Sequence, residues 1–134
     1  MASIDAIEGI GHAHATRLRK ARIRTTEALL KAGATRSGRK DVAGATGLSE
    51  QLILSWVNRA DLMRVKGVGE EYSDLLESAG VDTVRELRRR NAANLLNTMI
   101  EVNAKQLLVR RLPTQAMVER WVDEAKQLEP VVAH

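Results

Sequence analysis

The feature that most constrains this chain is that it repeats itself. The stretch Ile7-Glu8-Gly9-Ile10-Gly11 is followed by Ala15, Leu18, Ala21, Ile23, Thr25 and Leu29. It returns 58 residues later as Val65-Lys66-Gly67-Val68-Gly69, followed by Ser73, Leu76, Ala79, Val81, Thr83 and Leu87. Apolar, glycine and threonine positions all keep register, and self-similarity of this kind marks a chain built from related supersecondary units. Farther on, Ser49, Leu52, Ile53, Trp56, Val57 and Ala60 answer to Thr114, Met117, Val118, Trp121, Val122 and Ala125 at a spacing of 65. Seven residues have therefore entered the second copy, and an extra turn or a longer helix between Asn91 and Leu112 would absorb them. The copies are read as residues 1–60 and 61–128, with residues 129–134 a short tail expected to fray.

Each copy reads as helical. Ala, Leu, Arg, Glu and Lys are abundant, β-branched runs are rare, and no alternating strand pattern occurs. Ser3 and Asp61 are expected to cap a short lead-in helix, Thr25 and Thr83 another, and Ser49 and Thr114 the helix that carries each tryptophan. Pro113 is expected to end the helix before Thr114, because proline cannot continue the hydrogen-bond ladder. The expected fold is all-α, a tandem repeat of two units with about four to five short helices each. With no Phe, one Tyr (Tyr72) and two Trp (Trp56, Trp121), aliphatic side chains must build the core.

The pattern apolar-x-Gly-apolar-Gly joins two helices through a tight turn. One or both glycines must adopt backbone angles closed to residues with a side chain, and the missing Cβ lets a partner approach the main chain. The second glycine opens a helix whose first amides are unpaired and lie at the positive end of the helix dipole. Such a corner suits a phosphate. It also suits nothing more than a change of chain direction.

The residues Gly9-Ile10-Gly11, Ala15, Leu18, Ile23 and Thr25 resemble the helix-hairpin-helix superfamily, and specifically its paired form. The second set, Gly67-Val68-Gly69 through Leu76, Val81 and Thr83, departs from the pattern with Ser73 at the small-residue position. The wider arrangement resembles a bacterial family with paired units described only as a domain of unknown function. The resemblance implies sequence-independent binding of duplex DNA, with backbone amides of the hairpins on phosphates across the minor groove. Some superfamily members also hold a monovalent cation at the hairpin carbonyls. Carried to this chain, it makes Gly9, Ile10 and Gly11 the phosphate-contacting loop and Gly67, Val68 and Gly69 its partner loop.

Charge separates the two loops. Residues 1–64 hold eleven Lys and Arg against six Asp and Glu, whereas residues 65–134 hold ten against eleven. His12, His14, Arg17, Arg19 and Lys20 follow the first hairpin; Glu70, Glu71, Asp74 and Glu77 follow the second. Acids in a first turn stabilise the helix but compete with phosphate for the same amides and repel a nucleic-acid backbone. The expected nucleic-acid contacts are therefore Gly9, Ile10, Gly11, His12, His14, Arg17 and Lys20. The second hairpin reads as structural or as a protein-binding surface. A protein-interaction or scaffold module, self-association included, is the rival to a DNA-binding one.

Other features are weaker. Residues Val42 to Trp56, with Gly47 at the turn, fit a helix-turn-helix template. Its exposed recognition positions, Ser49, Glu50, Gln51 and Ser55, hold no Arg or Lys, so a plain helical corner anchored by Trp56 is the better reading. Basic residues also gather at Arg22 and Arg24, at Arg36, Arg39 and Lys40, and at Arg88-Arg89-Arg90. The scarcity of aromatic residues argues against base stacking on single strands.

No catalytic constellation emerges, and the chain is not expected to be an enzyme or to take a small-molecule substrate. His12 and His14 face different ways on a helix, so no metal site is expected, nor any cofactor. Absence of cysteine removes disulfides and thiolate chemistry. Residues 1–5 lack the basic and apolar regions of a signal peptide, and no long apolar run occurs, so the expectation is a cytoplasmic protein that does not enter a membrane.

Overall fold

A computed structural model describes residues 2–7 and 9–134. Among them are a 3-10 turn, Ile4–Ala6, and eight α-helices: α1 Gly11–Lys20, α2 Thr26–Gly33, α3 Arg36–Thr46, α4 Glu50–Leu62, α5 Glu70–Ser78, α6 Val84–Leu87, α7 Ala92–Gln106 and α8 Gln115–Gln127. The only extended pairing among the described residues is an isolated antiparallel bridge between Ser3 and Thr25. The protein is all-helical. None of the described helices is long and apolar enough to cross a membrane.

The chain divides into two compact units. One runs up to Asp61 and takes in Val131–His134; the other is Leu62–Pro130. The boundary falls in the last turn of α4, so Asp61, expected to cap a new helix, lies instead inside an existing one, 1% exposed.

In the first unit α1 packs on the 3-10 turn and on α3, and α2 packs on α3 and the 3-10 turn. Ile4, Ile7, Ile10, Leu18, Leu29 and Ile53 are fully buried there. Local chemistry sets the helix ends. The Thr25 hydroxyl accepts from Ala28 N at 3.0 Å to start α2, Thr35 accepts from Gly38 N at 3.0 Å to start α3, and Ser49 accepts from Leu52 N at 3.1 Å to start α4. Gly47 ends α3 with φ +74°, its N–H donating to Ala43 O. Leu48, Ile53 and Trp56 then bury the corner between α3 and α4.

The tail does not fray. Val132 is 4% exposed, Ala133 N–H donates to Ala34 O at 2.8 Å, and His134 Nε2 lies 3.2 Å from Asn58 Oδ1. Arg39, itself 4% exposed, donates to Ala133 O at 2.7 Å and to Gly33 O and Ala34 O at 2.8 and 3.2 Å. A buried cation thus closes the negative end of α2 and clasps the returning segment, with three carbonyls replacing its lost water. Burial, and then neighbouring Arg36, lower its pKa, while Glu50 opposes them. A guanidinium remains protonated under such shifts.

In the second unit α7 packs on α5 and α8, and α6 on α8. Leu75, Leu76, Leu87, Leu95, Met99 and Val118 form its centre. Asn91 caps α7 through Asn94 N, and Thr114 caps α8 through Met117 N. Thr83 precedes α6 without a side-chain cap. α7 has 15 residues and α3 has 11, and residues 107–114 separate α7 from α8 whereas residues 47–49 separate α3 from α4. Contrary to the expectation from the sequence, Pro113 is not what ends α7. Leu107 does so first, at φ +52°, and the Asn103 side chain holds the following loop by bonding both N and O of Val109.

Candidate nucleic-acid interface

Gly9 and Gly11 both take positive φ, +89° and +67°. Ile10 between them is 1% exposed and its N–H donates to Ile7 O, so the loop is fastened to the core by its apolar residue while both glycines face out. A Cβ built on either glycine would meet nothing within 4 Å, so the backbone angle, not crowding, is what demands glycine here. α1 begins at Gly11 with no side-chain cap and no acid in its first turn. Its opening amides form the positive end of a helix dipole, with no side-chain cap among the described residues.

The other predicted contacts separate along α1. His12 is exposed. His14 is half-buried, its ring tilted at 48° against Trp56 with centroids 5.2 Å apart, so it serves packing within the unit rather than standing beside His12. Arg17 and Lys20 are exposed and three residues apart, on one side of the helix. Arg17 Nη1 lies 3.7 Å from the Cβ position of Gly47, which carries this guanidinium over the α3–α4 turn. Lys20 is at the far end of a 10-residue helix, about 15 Å from the hairpin. Arg19 is turned aside into an ion pair with Asp5.

The more distant basic groups are also divided. Arg39 is consumed by its carbonyls, whereas Arg36 and Lys40 stay exposed and line an open depression with Ser37 and Glu50. Of the arginine run, Arg88 donates to Lys126 O at 3.1 Å and Arg90 Nη1 lies 3.7 Å from the Cβ position of Gly80. Of the three, Arg89 is the exposed one and its neighbours are half-buried.

The second hairpin has a different construction. Gly67 takes φ +89°, but Gly69 is extended at φ −102°, a geometry open to any residue. Val68 is buried in the way Ile10 is. α8 packs against one side of this loop, and Lys66, Gly67 and Gly69 remain exposed. A Cβ on Gly67 would come within 3.3 Å of Trp121 Nε1, and Lys66 N–H donates to the Glu124 carboxylate at 2.9 Å. Glu70 and Glu71 occupy the first turn of α5. Tyr72 rests on Trp121 at 5.1 Å and donates its hydroxyl hydrogen to Arg111 O at 3.0 Å.

Sequence reasoning missed both ring pairs and the contacts of Lys66 and Gly67 with Glu124 and Trp121. The signal was present: Tyr72 stands 58 residues after His14 and Trp121 stands 65 after Trp56, so the two pairs occupy matching places in the two registers. Among the described residues no group of three or more His, Cys, Asp or Glu is placed to hold a metal ion.

An all-helical chain with one glycine corner free of close neighbours and one with α8 beside it defines a class without defining a chemistry. Residues 8–128 match the family model described as Domain of unknown function (DUF4332), and the chain belongs to that family. No curated protein and no solved structure matches it.

Proposed function

We propose that the protein is a non-catalytic, sequence-independent duplex DNA-binding module built from two helix-hairpin-helix units in tandem, and that only the first hairpin contacts phosphate. The carrying observation is the uncapped start of α1, with two outward glycines, no acid in the first turn and open space around both Cβ positions. Arg17 and Lys20 extend the positive surface along the same helix. The tandem reading is supported by bonds that recur 58 residues apart: Ile7 N to Ile4 O and Val65 N to Leu62 O, Ile10 N to Ile7 O and Val68 N to Val65 O, Ile23 N to Leu18 O and Val81 N to Leu76 O.

The test is a titration of unrelated short duplexes at low ionic strength. Binding is expected to be independent of sequence and to weaken steeply with salt as phosphate counterions are released. Arg17→Glu with Lys20→Glu should weaken it uniformly across sequences. Absence of salt-dependent binding to any duplex overturns the reading.

A second reading, a protein-docking role for the second unit, is favoured by one observation. Ile100 and Leu107 are 42% and 79% exposed on and just beyond α7, with exposed Ala104 between them. It predicts an association that survives high salt and is lost on Leu107→Asp.

A further inference from the structure

Two residues other than glycine take a positive φ among the described residues, and one of them is Arg22, at +67°. The turn after α1 leaves it little choice. Arg22 N–H donates to Arg19 O at 2.9 Å, and Ile23 N–H donates to Leu18 O at 2.9 Å, with Ile23 and Leu18 both buried. The same two bonds close the turn after α5, from Gly80 N–H to Glu77 O at 3.0 Å and from Val81 N–H to Leu76 O at 2.9 Å. There the left-handed position holds Gly80, at φ +93°. The bond pattern demands a residue that tolerates the left-handed region, glycine meets the demand without steric cost, and the first unit holds an arginine in its place.

Among the described residues nothing explains that arginine. Its side chain is exposed, and among the described residues its guanidinium has no hydrogen-bond or ion-pair partner. Favourable interaction with the end of α1 is an insufficient reason, because Arg17, Arg19 and Lys20 already occupy that last turn, whereas α5 ends with no basic residue at all. Strain kept at an exposed position, without a partner among the described residues, points outward. Lys20 and Arg24 are exposed beside it, so the turn presents three cations about 15 Å, the length of α1, from the glycine hairpin. That separation is of the same order as a DNA groove, about 6 Å wide for the minor and about 12 Å for the major.

We propose that Arg22 makes a second phosphate contact on duplex DNA, at the opposite end of α1 from the hairpin, and occupies a glycine's position for that purpose. The proposal rests on the duplex-binding reading above. The experiment compares wild type, Arg22→Gly, Arg22→Asn and Arg22→Lys by thermal unfolding and by duplex titration at several salt concentrations. Arg22→Gly should raise the midpoint of unfolding by a few degrees, lower affinity about three- to tenfold at low salt, and reduce the salt slope by about one. Arg22→Asn, which also tolerates the left-handed region, should lose affinity equally, so the test does not depend on how the glycine variant folds. Arg22→Lys should keep the wild-type slope. Wild-type affinity and slope in both neutral variants overturn this proposal alone; a wild type that binds no duplex overturns the hairpin reading and this one with it.

Discussion

The two glycine corners start from nearly the same sequence and end with different neighbours. Around Gly9 and Gly11 the space beyond the backbone is empty and the first helical turn carries no acid. Around Gly67, α8 brings Trp121 to the backbone and Glu124 to the Lys66 amide, while Glu70 and Glu71 hold the turn that follows. The backbone at Gly9 and Gly67 is nevertheless alike, φ +89° in each. Glycine therefore specifies the corner, and the neighbours decide what stands beside it.

The largest test of this contrast is removal of the ring that anchors each unit. Trp56→Ala and Trp121→Ala delete side chains 2% and 3% exposed, and each should cost about 3–5 kcal/mol. Hydrogen exchange is expected to show α1–α4 loosened by the first and α5–α8 by the second. Equal loosening of all eight helices in either variant would mean that the units do not hold themselves together separately.

Next in size are Gly9→Ala and Gly67→Ala. Both force a side chain into the left-handed region at about 1–2 kcal/mol, and at Gly67 the new Cβ also presses on Trp121. Denaturant titration should find Gly67→Ala the costlier, whereas duplex affinity should fall only for Gly9→Ala. Identical stability losses would show that α8 does not confine the second loop.

The smallest test concerns the two threonines. Thr25 caps α2 through Ala28 N, so Thr25→Val should cost about 1 kcal/mol. Thr83 makes no such bond, and Thr83→Val, which keeps the shape of a side chain 2% exposed, should cost less than Thr25→Val.

Much of the fold is legible in the amino-acid sequence. The helical class follows from composition and spacing, and the capping roles of Thr25, Ser49 and Thr114 follow from their places before apolar runs. The acidic second corner is readable from Glu70 and Glu71 alone. What escapes are contacts between distant positions. His14 reads as a nucleic-acid contact, and only packing shows it against Trp56. Arg39 reads as one more surface cation among Arg36 and Lys40, yet its carbonyl partners lie on a helix end and on residue 133. Local pattern gives the direction of a side chain on its own helix, and says nothing of what another element brings to meet it. Arg22 is hidden for a related reason: a charge run in the sequence carries no mark of the backbone angle at which one of its members is held.

The returning segment Val131–His134 has a consequence for how the chain is made. Leu62–Pro130 is continuous in sequence, but the first unit is interrupted by all of it. During synthesis Arg39 therefore waits for the carbonyl of Ala133 until the whole intervening unit has been translated. The first unit thus receives its last carbonyl contact only after all of Leu62–Pro130 has been made.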